Sequence, residues 1–221
     1  MIMEILTNNQ RVLLIKIGLE KTIRHNFYLT GGTALAVFYL QHRYSDDLDF
    51  FSETEFTPDG IRVFFEKIKP AISLGKIDYQ QNLNRNLFFL HFSEEIIKAE
   101  FTFFPFPRIE TGRQELGVSI DSLLDIAVNK LFTVYQRSQA RDYVDLYFIC
   151  RKYQLAIADL IEKAKVKFDW HVDPIQLGSQ FVKAEEVKDY PRMIISVPDN
   201  EWRRFFVTEA KKLKEQIIKD E

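Results

Sequence analysis

Two adjacent glycines, Gly31 and Gly32, separate a short apolar run from a segment that is apolar almost all the way round, and this junction constrains the fold more than any other stretch of the chain. Phe27 to Thr30 reads as a strand, and Thr33 to about Gln41 reads as a helix carrying Leu35, Val37, Phe38 and Leu40. A helix with apolar residues on nearly every side has to be buried. A Gly-Gly turn at its start lets backbone N–H groups approach an anion closely, and the positive end of the helix dipole favours phosphate there. Asp47 to Phe51 follows as a second strand, with Asp47 and Asp49 two residues apart and therefore on one side of it, opposite Leu48 and Phe50. Two carboxylates on one side of a strand can reach a divalent cation or a pair of them. Joined to the phosphate-accepting turn, they imply nucleoside-triphosphate chemistry.

The remaining pattern divides in two. Asn9 to His25 forms a candidate first helix, and Thr57-Pro58 is a start signal for a helix to about Lys69. Strands are expected around residues 75–81, 87–92 and 97–104, the first two joined through the Asn-rich stretch 82–86. In the last of these Ile97, Ala99, Phe101 and Phe103 alternate with Lys98, Glu100 and Thr102, as expected of a sheet with one packed face and one wet or functional face. After about residue 117 strand signals stop, and helices are expected at 121–136, 139–152, 156–167, 174–186 and 200–219. The expected class is α+β, with a core over 1–116 and a helical portion over 117–221.

Composition narrows the function classes. Of the 221 residues, 30 are basic and 32 acidic, a balance that does not describe a general nucleic-acid coat protein. The 20 phenylalanines read as core rather than as base-stacking platforms. Cys150, alone of its type, lies in an apolar run and reads as a buried, inert thiol. With one cysteine and His25, His42, His91 and His171 off helical ligand spacing, a zinc site is not expected. Lys163, Lys165 and Lys167, with Lys211, Lys212 and Lys214, read as solvated helix faces. The stretch Asn8-Asn9-Gln10 lacks the apolar run of a signal peptide, and no span is apolar enough for a bilayer, so a cytoplasmic protein without a membrane partner is the expectation.

Nucleotidyl transfer needs hard oxygen ligands that bridge a triphosphate through divalent ions, two of them in the expected arrangement. Asp47 and Asp49 supply such ligands. Glu100, the acid on the polar face of its strand, is the candidate third carboxylate and general base; the alternative is an ion pair with Lys98 on that same face. Arg43 and Ser45, just before the acids, are candidate phosphate contacts beside Gly31, Gly32 and Thr33. Lys130 lies at the edge of its helix's apolar face, where a cation needs an anionic partner. Asp142 and Asp145, three residues apart on one helix face, could fix Lys130, or a phosphate could be its partner.

The residues Phe27-Tyr28-Leu29-Thr30-Gly31-Gly32-Thr33-Ala34-Leu35 and His42-Arg43-Tyr44-Ser45-Asp46-Asp47-Leu48-Asp49-Phe50-Phe51 closely resemble the AbiEii/AbiGii toxin family of the DNA polymerase β-like nucleotidyltransferases. Asp125-Ile126-Ala127-Val128-Asn129-Lys130-Leu131, Arg137 and Arg141-Asp142-Tyr143-Val144-Asp145-Leu146 resemble that family's lysine and Arg-Asp-x-x-Asp-Leu motifs. The resemblance implies a polymerase β-like nucleotidyltransferase core with a small mixed sheet, followed by a helical C-terminal portion. It implies a Mg²⁺-dependent enzyme, often the toxin of a toxin–antitoxin pair with a separately encoded antitoxin, and some relatives resemble enzymes that extend tRNA ends. In polymerase β-like enzymes the third carboxylate is usually Asp; Glu100 at that place is either a base longer by one methylene or a residue outside the chemistry.

The expected activity is therefore transfer of NMP from an NTP to an acceptor hydroxyl, on RNA or tRNA. Asp47, Asp49 and Glu100 are the expected metal ligands, with Lys130 and Asp142 added to them as catalytic groups. Gly31, Gly32, Thr33, Arg43, Ser45, Lys130 and Asp145 are expected to bind the nucleotide. A module that binds nucleotide and acts through a protein partner without turnover, or a kinase-like transfer of the γ-phosphate, would use similar groups.

Overall fold

The computed structural model describes residues 5–220, with side chains through residue 215. The chain divides into two compact units, one ending at Leu123 and the other starting at Leu124.

In the first unit, α1 (Asn8–Leu19) opens on a capping box in which the Thr7 hydroxyl accepts the Gln10 N–H and the Gln10 side chain accepts the Thr7 N–H. The single helix expected to His25 is interrupted at Glu20, which is extended, and resumes as α2 (Lys21–Asn26). β1 (Tyr28–Thr30) runs straight into α3 (Gly31–Leu35), which widens into a π-helical turn over Ala36–Leu40 and ends at a left-handed Gln41. Leu35, Val37, Phe38 and Leu40 are all buried, as the all-round apolar pattern requires. β2 (Leu48–Ser52), α4 (Asp59–Ile68) and a 3₁₀ turn over Lys69–Ile72 come next. β3 (Lys76–Asn82) and β4 (Arg85–His91) form a hairpin whose two-residue connection, Leu83-Asn84, is shorter than the turn expected from the asparagines. β5 (Ile96–Phe103) follows.

The strands do not stop where the sequence pattern suggested. β6 (Arg113–Glu115) and β7 (Val118–Ile120) form a second hairpin through Leu116-Gly117, both with positive φ, the backbone that a two-residue hairpin turn needs. Three-residue strands are too short to declare a period of two. Gly117 is the one local signal of the turn.

The seven strands make one mixed sheet in the order β3-β4-β5-β2-β1-β7-β6. β1 lies antiparallel to β2 and parallel to β7, and β2 lies parallel to β5. One face of the sheet carries Leu48, Phe50, Phe88, Leu90, Ala99 and Phe101, each at most 1% exposed. Aromatic rings fill this core: Phe50 stacks on Phe101 at 4.9 Å and Phe65 meets Phe88 at 5.1 Å. The other face carries the acids.

The second unit is helical, as expected: α5 (Leu123–Gln136), α6 (Ala140–Tyr153), α7 (Ile157–Phe168), α8 (Pro174–Val182) with a 3₁₀ turn over Lys183–Glu185, and α9 (Asp199–Asp220). α8 starts on Asp173, whose carboxylate accepts the N–H groups of Ile175 and Gln176, with Pro174 at the first helical position. Fully buried Trp202 stacks between Tyr143 and Tyr190, and Phe206 packs on Tyr143 and Phe181. Lys167 departs from its expected place on a solvated face: its ammonium and the Asp125 carboxylate, both 0% exposed, pair at 2.6 Å. Helical spacing turns Lys167 inward with Ala164 and Phe168, and Asp125 supplies the charge that makes its burial tolerable. Cys150 is buried, and burial together with the Glu209 charge pushes its thiol up to about 12. Among the described residues no helix is long and apolar enough to cross a membrane.

Candidate active site

The junction of β1 and α3 is built around groups that only glycine admits. Gly31 has φ +70°, and a Cβ there would lie 2.6 Å from Asp49 Oδ2. The Asp49 carboxylate thus packs directly on the turn backbone. At Gly32 the space of a side chain is taken by the Arg43 guanidinium, with the Ser45 hydroxyl 3.1 Å from the Cβ position. Arg43 is buried, donates to the Tyr44 carbonyl at 2.8 Å and so lies against the turn rather than in bulk solvent. The fully buried Thr33 hydroxyl donates to the Asp47 carbonyl and shares a 2.9 Å hydrogen bond with Ser45. Gly31, Gly32, Thr33, Arg43 and Ser45, separate in sequence, are brought together with the acids.

Two supports behind this turn escaped the sequence reading. Gln10, already in the capping box, donates to the Asp46 carbonyl at 2.9 Å and to the Ser45 carbonyl at 3.4 Å, tying the acid-bearing loop to α1. Asp121, at the start of the helix expected over 121–136, is fully buried and accepts from the Thr30 hydroxyl at 2.7 Å and from the Ser122 N–H at 3.1 Å. The T-x-x-Q spacing of residues 7–10 could have flagged the first; nothing local flags the second.

Asp47 stands just before β2 and Asp49 within it, with Leu48 and Phe50 buried on the opposite face. In register, Asp49 sits beside Thr30 on β1 and beside Glu100 on β5, so the proposed third carboxylate is on the neighbouring strand and on the same face. Each carboxylate partner is specific. Lys98 Nζ lies 2.8 Å from Asp47 Oδ2 and 3.8 Å from Glu100 Oε2. Arg85, from β4, donates to both oxygens of Glu100 at 2.6 and 2.7 Å, and the Thr102 hydroxyl adds a third bond at 3.0 Å. Burial alone would raise the Glu100 carboxyl, but the Arg85 fork, Thr102 and Lys98 outweigh it and hold the group below its ordinary value. The Arg85 guanidinium is stabilised in return by Glu100 and, further off, by Asp49 and Asp47.

This geometry alters the role open to Glu100. A carboxylate whose two oxygens are taken by one guanidinium, and whose proton affinity is lowered, is a poor base and a reluctant ligand. Among the described residues no group of three or more His, Cys, Asp or Glu side chains stands together as a metal cage. Asp47 and Asp49 nonetheless fit a hard divalent ion, because both are carboxylates on one face and Lys98 already shows that a cation is accommodated against Asp47. Mg²⁺ is commonly held by one or two carboxylates, with substrate phosphates and water completing the shell.

Within the helical unit, α5 and α6 bring together Lys130, Asp142 and Asp145. Lys130 Nζ lies 2.8 Å from Asp142 Oδ1 and 2.7 Å from Asp145 Oδ2, with the acids 1% and 0% exposed. Arg137 reaches the other Asp142 oxygen at 3.1 Å. Burial would raise Asp142, but Lys130 and Arg137 hold it below its ordinary value. The i and i+3 spacing of the two acids produces this clamp.

The comparisons with known proteins agree with this architecture. A family model described as nucleotidyl transferase AbiEii toxin, type IV toxin–antitoxin system, matches residues 19–213. Uncharacterized protein aq_aa25 of Aquifex aeolicus is 32% identical over 157 residues, covering 68% of this chain and 72% of that protein. Among solved structures, JHP933 of Helicobacter pylori superposes with a TM-score of 0.60 at 20% identity, covering 96% of this chain and 91% of the other. The MenT4 nucleotidyltransferase toxin of Mycobacterium tuberculosis gives a TM-score of 0.57 at 15% identity, covering 92% and 82%. Turn, acid-bearing strand and helical clamp lie inside the matched span, and the chain belongs to the AbiEii nucleotidyltransferase toxin family.

Proposed function

We propose that this nucleotidyltransferase moves NMP from an NTP to an acceptor hydroxyl on RNA, tRNA included, in a Mg²⁺-dependent reaction, as the toxin of a pair whose antitoxin is separately encoded. One observation carries the reading: the Asp49 carboxylate lies directly against the backbone of Gly31, so an ion ligand and an anion-accepting turn share one spot. In the reaction the acceptor oxygen bonds to the α-phosphorus, the bond from that phosphorus to the bridging oxygen breaks, and pyrophosphate leaves while the hydroxyl proton passes to water.

Asp47 and Asp49 would hold the metal, which when bound neutralises triphosphate charge and favours ionisation of the attacking hydroxyl. The Gly31-Gly32 backbone and Arg43 would receive phosphate oxygens, with Ser45 and Thr33 holding the loop in place. Glu100 enters as the group that fixes Arg85 and Lys98 at the site rather than as the base. Lys130, Asp142 and Asp145 are assigned to the nucleotide on the family resemblance, and their own geometry supports a fixed ammonium.

Each α-labelled NTP, incubated with Mg²⁺ and total cellular RNA, should label RNA with one or a few of the four nucleotides. Asp47→Ala and Asp49→Ala should each lower the rate by about 10³-fold or more with the fold retained, because positioning and charge supply most of phosphoryl-transfer catalysis. Undiminished labelling by Asp47→Ala would sink the assignment. Label transferred from the γ position would indicate a kinase instead.

A further inference from the structure

We propose that Lys98 is a tethered counter-ion that occupies Asp47 until a divalent ion arrives on the triphosphate, so that metal enters with the nucleotide and not ahead of it. The inference rests on the nucleotidyltransferase reading above. Its basis is the unequal hold on Arg85 and Lys98, two cations of the acidic face. Arg85 is locked to both oxygens of Glu100, whereas Lys98 spans two acids, close to Asp47 at 2.8 Å and loosely over Glu100 at 3.8 Å. Lys98 and Glu100 stand two apart on β5 and share a face, so Glu100 keeps the ammonium at the site when Asp47 lets go.

A lysine is suited to this exchange, being a compact charge on a flexible stem. A divalent ion arriving alone would have to break the Lys98–Asp47 contact and would gain only two carboxylates. The same ion carried on a triphosphate brings phosphate oxygens as additional ligands, and those oxygens also receive the displaced ammonium. Glu100, fixed by Arg85, then acts as a positioning residue for Lys98.

The test is Mn²⁺ binding followed by electron paramagnetic resonance on the full chain, with and without a non-hydrolysable α,β-methylene NTP. Wild type should bind Mn²⁺ weakly alone and well with the analogue. Lys98→Met should bind Mn²⁺ alone at least tenfold more tightly than wild type, and Asp47→Asn added to it should remove that gain. Lys98→Arg, which keeps a cation, should behave like wild type. Equal Mn²⁺ affinity in Lys98→Met and wild type, with Asp47→Asn still abolishing binding in the presence of analogue, overturns the counter-ion role and leaves the enzyme reading standing. Lys98→Arg matching Lys98→Met also overturns it. Mn²⁺–analogue binding untouched by Asp47→Asn overturns the reading of the site, and the counter-ion role with it.

Discussion

Replacing Lys130 by Met removes an ammonium that two buried acids share. Asp142 and Asp145 are 1% and 0% exposed, and Lys130 stands 2.8 and 2.7 Å from them. Removing one partner of a buried pair costs about 3–5 kcal/mol, since the remaining charge keeps its desolvation penalty without its compensation. Arg137, 49% exposed, stays on Asp142 at 3.1 Å and offsets only the roughly 0–1 kcal/mol of a surface pair. A net loss of about 2–5 kcal/mol is expected. With a urea slope of about 1–3 kcal/mol/M, the midpoint should fall by roughly 1–5 M. The natural probe is tryptophan fluorescence, because Trp170 and Trp202 are the two tryptophans and both lie in the helical unit, Trp202 in its core. Adding Asp142→Asn and Asp145→Asn to Lys130→Met should restore part of the loss by discharging the acids. A loss under about 1 kcal/mol would place the clamp with exposed ion pairs and refute the argument.

Gly31→Ala should cost about 1–3 kcal/mol, from positive φ and from the contact with Asp49, and should weaken Mn²⁺–nucleotide binding; an unchanged urea midpoint would contradict the packing described. Asp142 and Glu100 are both held below their ordinary values, so they add stability above the unfolded carboxylate range and lose it as pH falls through their folded values. Thermal stability should accordingly drop below about pH 4, and Asp142→Asn should flatten that acid limb, measured by circular dichroism melts from about pH 6 to pH 2. Cys150, buried and with its thiol pushed up to about 12, should not react with Ellman's reagent at neutral pH until urea unfolds the chain. Rapid labelling of the native protein would show that α6 opens locally.

Period and punctuation made much of this molecule legible. The Gly-Gly junction, the alternation of β5 and the helical run after residue 121 each carry a local signature, and each corresponds to an element. The relation of Asp49 to Glu100 was also within reach, since alternation assigns both to polar faces and β2 and β5 pair in matching register. What escaped depends on register across strands distant in the chain. Arg85 reaches Glu100 only because β4 and β5 align Arg85 with Thr102, and a one-residue slip would turn it to the other face. Asp121 meets Thr30 only because β7 closes beside β1. Lys167 belongs by composition to a charged, solvated-looking run, but helical phase turns it inward, and its partner Asp125 lies 42 residues away.

The parallel pairings also bear on when, during synthesis, this chain can act. The turn and the acid-bearing strand are complete by Ser52, but Lys98 and Glu100 come from a strand that pairs in parallel with β2 only after the intervening hairpin has been made, and Asp121 anchors Thr30 across 91 residues. Such non-local pairings form slowly, because loop closure must precede the contacts that reward it. A nascent chain truncated before β7 would carry Asp47 and Asp49 without the frame that holds them. The acid-bearing face is therefore finished only when the last strands of the sheet have been made, and no shorter nascent chain presents it whole.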